Sequence, residues 1–458
     1  MNSTDAFVEL RDKSQLIDWF RAGIKPEKDW GIGTEHELFL FSRKDFKRLP
    51  YDGQPGIKGV LKEIQKDGWN PILENNNIVG LAKDGTTITL EPGGQFELSG
   101  ANNSTIHQTF EETRYHFECL KTNGEKLGFY HLHKGFDPFS RRDEVFWMPK
   151  ERYRFMKSWM PAKGDLGLDM MLRTSSIQVN LDYSSEADMI QKMQVAQAFQ
   201  PVVTAMFANS PFTEGKPNGY LTYRAYVWDN TDNERCGFMH FVFDDDFGFE
   251  RWIDFLLEVP MYFIFREGRY YSAEGMTFKD FMEGKHGYKP TIDDWEMHVS
   301  TVFPDIRLKK FIELRGADAG SVEMITALAA FWTGIFYDTE SLSIAHGLIK
   351  EIGLEALYGL RAKVPEDGLK AECKSVSLSS VAQKLLALSS EGLARRASKM
   401  GIVSEQKYLH VLETIIACGQ TDADRLLNLY SSWGDKISTK EMFKVGCGGQ
   451  LGKPKFKI

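Results

Sequence analysis

The 458 residues carry 64 acidic and 56 basic side chains, a net charge of −8, and 42% hydrophobic residues that include 32 Phe, 16 Tyr and 10 Trp. That balance describes a soluble globular chain with a large aromatic core. It excludes a basic nucleic-acid surface spread over the whole molecule, though not a local basic pocket for phosphates. The five cysteines (Cys119, Cys236, Cys373, Cys418, Cys447) are scattered and form no C-x-x-C pair, which suits a reducing compartment. The start, MNSTDAFVELRDKSQL, has acidic residues and no long apolar run, so the expectation is a cytoplasmic protein. Stretches such as residues 255–265 contain Glu258 and Pro260 and are too short to span a bilayer.

Residues 14–22 place Leu16, Ile17, Trp19 and Phe20 in a short amphipathic helix, with Ser14 as N-cap and Gly23 past its end. Residues 31–41 (GIGTEHELFLF) read as a strand. Glu35 and Glu37, two apart, share one face and His36 takes the other. A solvated edge strand explains that pattern equally well. Residues 67–98 read as short strands and turns, leading into LEPGGQFELSG at 90–100. Thr86, Thr87, Ile88 and Thr89 are strand formers, and Pro92, Gly93 and Gly94 make a tight turn between Glu91 and Glu97. An ordinary hairpin with exposed glutamates is the plainer alternative.

Residues 103–127 form a helix with Ile106, Phe110, Phe117 and Leu120 on its buried side. His131 and His133 fall on a strand within 127–139; with no further ligand spacing, a structural or surface role outweighs a metal. Residues 146–161 (FWMPKERYRFMKSWMP) interleave Lys150, Arg152, Arg154 and Lys157 with Trp147, Tyr153 and Trp159. Such a run can hold a nucleotide, or can be a surface helix with snorkelling stems. From Thr174 a strand sets Ser176, Gln178 and Asn180 opposite Ile177, Val179 and Leu181. A helix over 185–209 opens on the capping box Ser185-x-x-Asp188, and Pro201 should kink or split it.

A Pro/Gly loop at 210–219 precedes 220–232, which holds Arg224 and Trp228. Residues 241–266 are an aromatic core segment opening on a solvated acidic run at 244–246, and 293–304 add Trp295 and His298. Within 306–318, Glu313 and Arg315 share a strand face. From Val322 the pattern is helical, with clear amphipathic helices at 404–417 and 421–430 and Gly419 ending the first. The tail GCGGQLGKPKFKI is no Walker A loop: Cys447 stands where its first glycine belongs and Pro454 where Ser or Thr belongs.

Four separated strands thus carry polar groups beside an apolar face: Glu35/Glu37, Glu91 with Glu97, Gln178/Asn180 and Glu313/Arg315. Together they suggest a sheet with one deliberately polar side. Oxygen ligands without Cys or clustered His favour Mg²⁺ or Mn²⁺ over Zn²⁺. Carboxylate-held Mg²⁺ beside arginines is the equipment of phosphoryl transfer from ATP. With no P-loop, the nucleotide must lie against the sheet itself.

The stretches GIGTEHE, LEPGGQFELSGA, LDMMLRTSSIQVNLD, FANSPFTEGKPNG, FVFDDDFGFE, VPMYF, GMTF and ELRGADAG resemble, in order and spacing, the glutamate–cysteine ligase family of plants and many proteobacteria. The resemblance covers residues 18–338 and, more loosely, the C-terminal helices. It implies an α+β fold related to glutamine synthetase: a large curved antiparallel sheet, helices on its outer face, and a helical C-terminal part. It implies one catalytic unit, with a sheet-based core at 1–345 and a helical segment at 346–458 packed on it. The implied reaction joins the γ-carboxylate of L-glutamate to the amine of L-cysteine through a γ-glutamyl phosphate, using ATP and Mg²⁺, as the first step of glutathione biosynthesis. Small-molecule substrates, no nucleic acid, no membrane, and a monomer or homodimer follow from the same resemblance. A different amine, or a non-catalytic binding relative, are the alternatives.

By position, the resemblance makes Glu35, Glu37, Glu91, Glu97 and Glu313 the Mg²⁺ ligands. Gln178 and Asn180 line the metal and nucleotide side, and Lys150 and Arg152 contact the nucleotide. Arg173 and Arg224 take substrate carboxylates, Arg315 takes the transferred phosphoryl group, and Tyr262 walls the pocket for the cysteine side chain. The chain departs from the family at Leu38 and Leu40, where relatives usually carry Lys and Gly, and over 129–139. Plant relatives are regulated by disulfides, but no cysteine here matches those places, so no such switch is expected.

Overall fold

Strand β1 (Ile32–Ser42) crosses the middle of a nine-stranded sheet whose pairings are all antiparallel. The others are β2 (Asn70–Glu74), β3 (Asn77–Lys83), β4 (Thr86–Leu90), β5 (Phe96–Ser99), β6 (Phe129–Leu132), β7 (Ser176–Leu181), β8 (Ile306–Leu308) and β9 (Ile312–Asp318). Their order is β8-β9-β7-β1-β5-β4-β3-β2, and β6 pairs with the far end of β1. The computed structural model describes residues 9–433 and 439–446. The tail examined for a P-loop lies outside the described residues.

Register sorts the side chains of this sheet by chemistry. Glu37 pairs with Glu97, Glu35 with Gln178, and Glu313 with Asn180, so these groups share one face. His36 pairs with Leu98 and Ile177, and Leu38 with Phe96, on the other. This is the period-two alternation of a pleated strand carried across four neighbouring strands. The helices Glu186–Met206, Val322–Phe336 and Leu378–Met400 build one core with Ile177, Val179, Leu181, Ile312 and Leu314. A second core surrounds Leu38, Ile88, Leu90, Phe96 and Leu98 under the helix Ile57–Gln65. Each fully buried Leu or Phe contributes about 1.5–3 kcal/mol, stability that a face of like charges cannot supply.

Several elements differ from the sequence expectation, each for a local reason. The first helix spans Lys13–Arg21 and is capped by Asp12, whose carboxylate accepts from Ser14 N, so Ser14 is not the cap. The helix Ile106–Leu127 buries Thr109, Thr113 and His116 beside Ile106 and Leu120, leaving Phe110 and Phe117 half-covered. His36 on the underside of β1 sets that rotation, its Nε2 lying 2.8 Å from His116 Nδ1. The helix Glu186–Met206 runs through Pro201 unsplit, because it is buried along most of its length and packing outweighs the missing N–H. The expected helix at 404–417 begins as a 3₁₀ turn, Gln406–Leu409, before His410–Cys418, which Gly419 ends at φ 62°. Asp244, Asp245 and Asp246 are exposed as expected. Among the described residues, no helix is long and apolar enough to cross a membrane.

Candidate active site

The hairpin β4–β5 brings Glu91 and Glu97 together. Its turn closes with Gly94 N donating to Glu91 O at 2.8 Å and Glu91 N donating to Gln95 O at 3.0 Å. Gly94 sits at φ 78°, the left-handed region that a side chain would strain. A Cβ on Gly93 would fall 2.4 Å from the Leu172 carbonyl, so that residue has no room to be anything else. The turn is held from outside as well. Gln95 accepts from Gly93 N at 3.0 Å and donates to Thr174 O at 2.8 Å. Tyr153 Oη donates to Leu90 O at 2.6 Å, and Arg48, paired with Asp137 at 2.9 Å, donates to Gly93 O at 2.5 Å.

Opposite the turn, β1 presents Glu37. Glu37, Glu91 and Glu97 each offer a carboxylate oxygen within 4.8 Å of the other two. Burial and then the neighbouring Glu91 push Glu37 up to about 7, against the pull of Arg224. Burial, Glu91, Glu35 and Glu37 hold Glu97 well above the usual carboxylate range. Three hard oxygen donors that repel one another are the donor set a small divalent cation satisfies, so the residues fit Mg²⁺ or Mn²⁺. Glu35 flanks the group, its Oε1 accepting from Asn180 Nδ2 at 2.8 Å.

Two sets of cations face these carboxylates. On one side, burial and Arg152 push Lys150 down to about 8, while Glu91, Glu97 and Glu74 pull it up. Arg152 stays firmly charged: burial opposes it, but Tyr153 and Glu91 outweigh burial, and its Nε has no partner among the described residues. On the other side, Arg315 donates to Gln178 Oε1 and to Glu313 Oε2. Arg224 donates to the Arg315 carbonyl at 2.9 Å. Beyond these two arginines lies a cleft lined by Gln200, Arg224, Trp228, Phe303, Arg315 and Arg361. Arg224 Nε, Trp228 Nε1 and Gln200 Oε1 are buried without partners among the described residues, donors and an acceptor that a polar ligand would satisfy.

Three of the expected site residues already have protein partners. Glu313 is fully buried and already taken: Arg307 donates to it at 2.5 Å, Lys309 at 3.3 Å and Arg315 at 3.1 Å. Burial raises its carboxyl, yet those cations hold it well below the usual range, so it anchors Arg315. Arg173 is spent on Asp169 at 2.7 Å, Glu214 at 3.1 Å and the Ser140 carbonyl, over the Phe136 ring. Tyr262 is buried with the Arg235 guanidinium 3.9 Å from its ring centre and its hydroxyl towards Met160 Sδ, so it does not line the cleft. His131 and His133 are buried beside Phe117, away from the polar face. Sequence reasoning missed Arg48, Gln95, Arg307 and Arg361; Gln95 lies inside LEPGGQF, and Arg307 becomes visible only once its pairing with Glu313 is known.

The description of glutamate–cysteine ligase family 2 (GCS2) matches residues 31–443. Glutamate–cysteine ligase A, chloroplastic, of Oryza sativa subsp. indica is 46% identical over 437 residues, covering 94% of this chain and 87% of that one. The chloroplastic glutamate–cysteine ligase of Arabidopsis thaliana is 43% identical over 436 residues, covering 94% and 82%. Among solved structures, a Francisella tularensis glutamate–cysteine ligase in complex with AMP aligns with a TM-score of 0.53 at 12% identity, over 91% of this chain and 87% of that chain, a likeness of fold. The rice and Arabidopsis relatives are chloroplastic, which overturns the expected cytoplasmic location. Cysteine spacing and charge balance report a redox setting and solubility but carry no address. With the motif order, the polar sheet face and a match across nearly the whole described chain in agreement, this protein belongs to the glutamate–cysteine ligase family.

Proposed function

We propose that this chain joins the γ-carboxylate of L-glutamate to the amine of L-cysteine, converting ATP to ADP and phosphate and giving γ-glutamylcysteine. The observation that carries the reading is the juxtaposition of the Glu37, Glu91 and Glu97 carboxylates with Arg224 and Arg315 on one polar sheet face. A carboxylate is a poor acceptor for an amine. The reaction therefore passes through an acyl phosphate: a glutamate γ-oxygen takes the terminal phosphoryl group of ATP, and the cysteine nitrogen then bonds to the carbonyl carbon as phosphate leaves.

Glu37, Glu91 and Glu97, with Glu35 beside them, would hold Mg²⁺, which when bound supplies charge neutralisation for the phosphate oxygens. Lys150 and Arg152 hold the nucleotide phosphates from the turn side, with Gln178 and Asn180 fixing Arg315 and Glu35 between them. Arg315, anchored by Glu313, stabilises charge on the transferred phosphoryl group. Arg224, Trp228 Nε1 and Gln200 take the polar ends of the amino-acid substrate in the cleft, and the bound substrate there excludes water from the acyl phosphate. The test is ADP release with ATP, Mg²⁺, glutamate and each amino acid in turn, with the product identified by mass. Cysteine alone should stimulate strongly. Stimulation by a different amine would replace cysteine in the reading, and nucleotide binding without turnover would end it.

A further inference from the structure

The helix Leu354–Asp367 borders the cleft and grips the short helix Tyr223–Asp229 at both ends. Ahead of its first turn, the N–H groups of Leu221 and Thr222 both donate to the Pro365 carbonyl, at 2.9 and 3.1 Å. At its last residue, Arg361 Nη2 donates to Asp229 Oδ1 at 2.6 Å and Nη1 donates to Oδ2 at 3.3 Å. The same guanidinium reaches Asp305 Oδ2, at 3.1 Å from Nη2 and 3.3 Å from Nε. The Asp305 carbonyl in turn accepts from the N–H of Arg315 at 3.1 Å. One side chain thus joins the helix that carries Arg224 to the residue that seats Arg315.

Those two arginines lie 91 residues apart in sequence and their charges repel; the one direct link, Arg224 to the Arg315 carbonyl, ties a flexible side chain to backbone, so the elements that carry them need a brace of their own. A lone exposed ion pair would contribute little. Arg361 differs because its planar fork meets two carboxylates on separate elements at once, a geometry a point charge cannot copy. Its side chain is only one-quarter exposed (25%), and that of Asp305 is 19% exposed.

We propose that Arg361 is a positioning residue of the ligase reaction: by bridging Asp229 and Asp305 it sets the spacing of Arg224 and Arg315, and so aligns the amino-acid carboxylate with the phosphoryl group in transfer. This rests on the proposed function. The test is steady-state kinetics for glutamate, cysteine and ATP on the full-length Arg361→Gln, Arg361→Lys, Asp229→Asn and Asp305→Asn proteins, with thermal melting of each preparation.

Arg361→Gln should raise the glutamate KM and lower kcat, each about tenfold, because small misplacements of reacting groups carry large rate costs. Asp229→Asn frees the Arg224 arm and should move mainly the glutamate KM. Asp305→Asn frees the Arg315 arm and should move mainly kcat. Arg361→Lys, reaching one carboxylate at a time, should restore only part of the loss. If Arg361→Gln lowers the melting temperature while kcat and KM per folded molecule stay unchanged, or if the two Asn variants move the same constants equally, the proposal is overturned. Failure of the underlying function looks different, since the unmodified protein would then release no cysteine-dependent ADP.

Discussion

At the scale of single residues, Glu91 and Glu313 have the same side chain and opposite surroundings. Glu91 faces two other carboxylates, and Glu313 is enclosed by Arg307, Lys309 and Arg315. Glu91→Gln relieves the repulsion Glu91 exerts on Glu37 and Glu97, so the metal-free protein should keep or gain stability while ADP release falls at least about a hundredfold. Glu313→Gln leaves buried cations around a neutral amide and should cost about 3–5 kcal/mol of folding stability. Denaturant titration beside a turnover assay separates the two; equal destabilisation would refute this division of roles. The raised carboxyl of Glu37 yields a second prediction. Held near 7 without a cation, Glu37 must lose its proton before it can ligate. Mg²⁺ affinity should therefore fall as pH drops through about 7, by up to about tenfold per unit for Glu37 and more steeply where the raised Glu97 must also lose its proton, with proton release seen by calorimetry in buffers of different ionisation enthalpy. A pH-independent affinity would remove Glu37 from the site.

At the scale of elements, what sequence reading recovered was parity. Residues two apart on a strand share a face, so Glu35 with Glu37 and Gln178 with Asn180 could be placed before any coordinate was known. The turn at Pro92–Gly94 was legible for the same kind of reason, because backbone chemistry there is local. What stayed hidden was non-local. The spacing E-x-R shows Glu313 and Arg315 on one face but not Arg307, which arrives across the β8–β9 register. Arg173 follows LDMML and looks free until Asp169, four residues back on the same helix, is seen to claim it. Gly93 tests how tightly the turn is set. In Gly93→Ala the new methyl meets the rigid Leu172 carbonyl, so the turn must shift and carry Glu91 with it. A loss of about 1–3 kcal/mol in stability is expected, with weaker Mg²⁺ binding. Unchanged Mg²⁺ affinity would show that the turn does not position Glu91.

At the scale of the whole molecule, the polar and apolar faces of one sheet respond to acid in opposite directions. Behind the carboxylates, burial depresses His36 to about 3, His131 to about 4, and His116 and His133 well below the ordinary imidazole value; neighbouring imidazoles, Arg43, Lys121 and Lys134 reinforce this. His298, in the helical core, is likewise held near 4. A histidine kept neutral in the fold costs nothing above its unfolded value near 6.5. Below that, the unfolded chain takes up protons that the folded one refuses, and stability drops by up to about 1.4 kcal/mol per pH unit for each such group. Glu37 and Glu97 act the other way, because their raised folded values favour folding as pH falls towards 4.5, for Glu37 from about 7. Five imidazoles outweigh two carboxylates, so the metal-free protein should lose a few kcal/mol per unit between about pH 6.5 and 5. Saturating Mg²⁺ should steepen that loss, since it holds the two carboxylates ionised and removes their compensation. Urea unfolding at about pH 7.5, 6.5 and 5.5, with and without Mg²⁺, measures both slopes. Replacing His36 and His116 together by Gln should flatten the slope by about 2–3 kcal/mol per unit, and an unchanged slope in that variant would show that the imidazoles beneath the catalytic face do not set the acid limit of the fold.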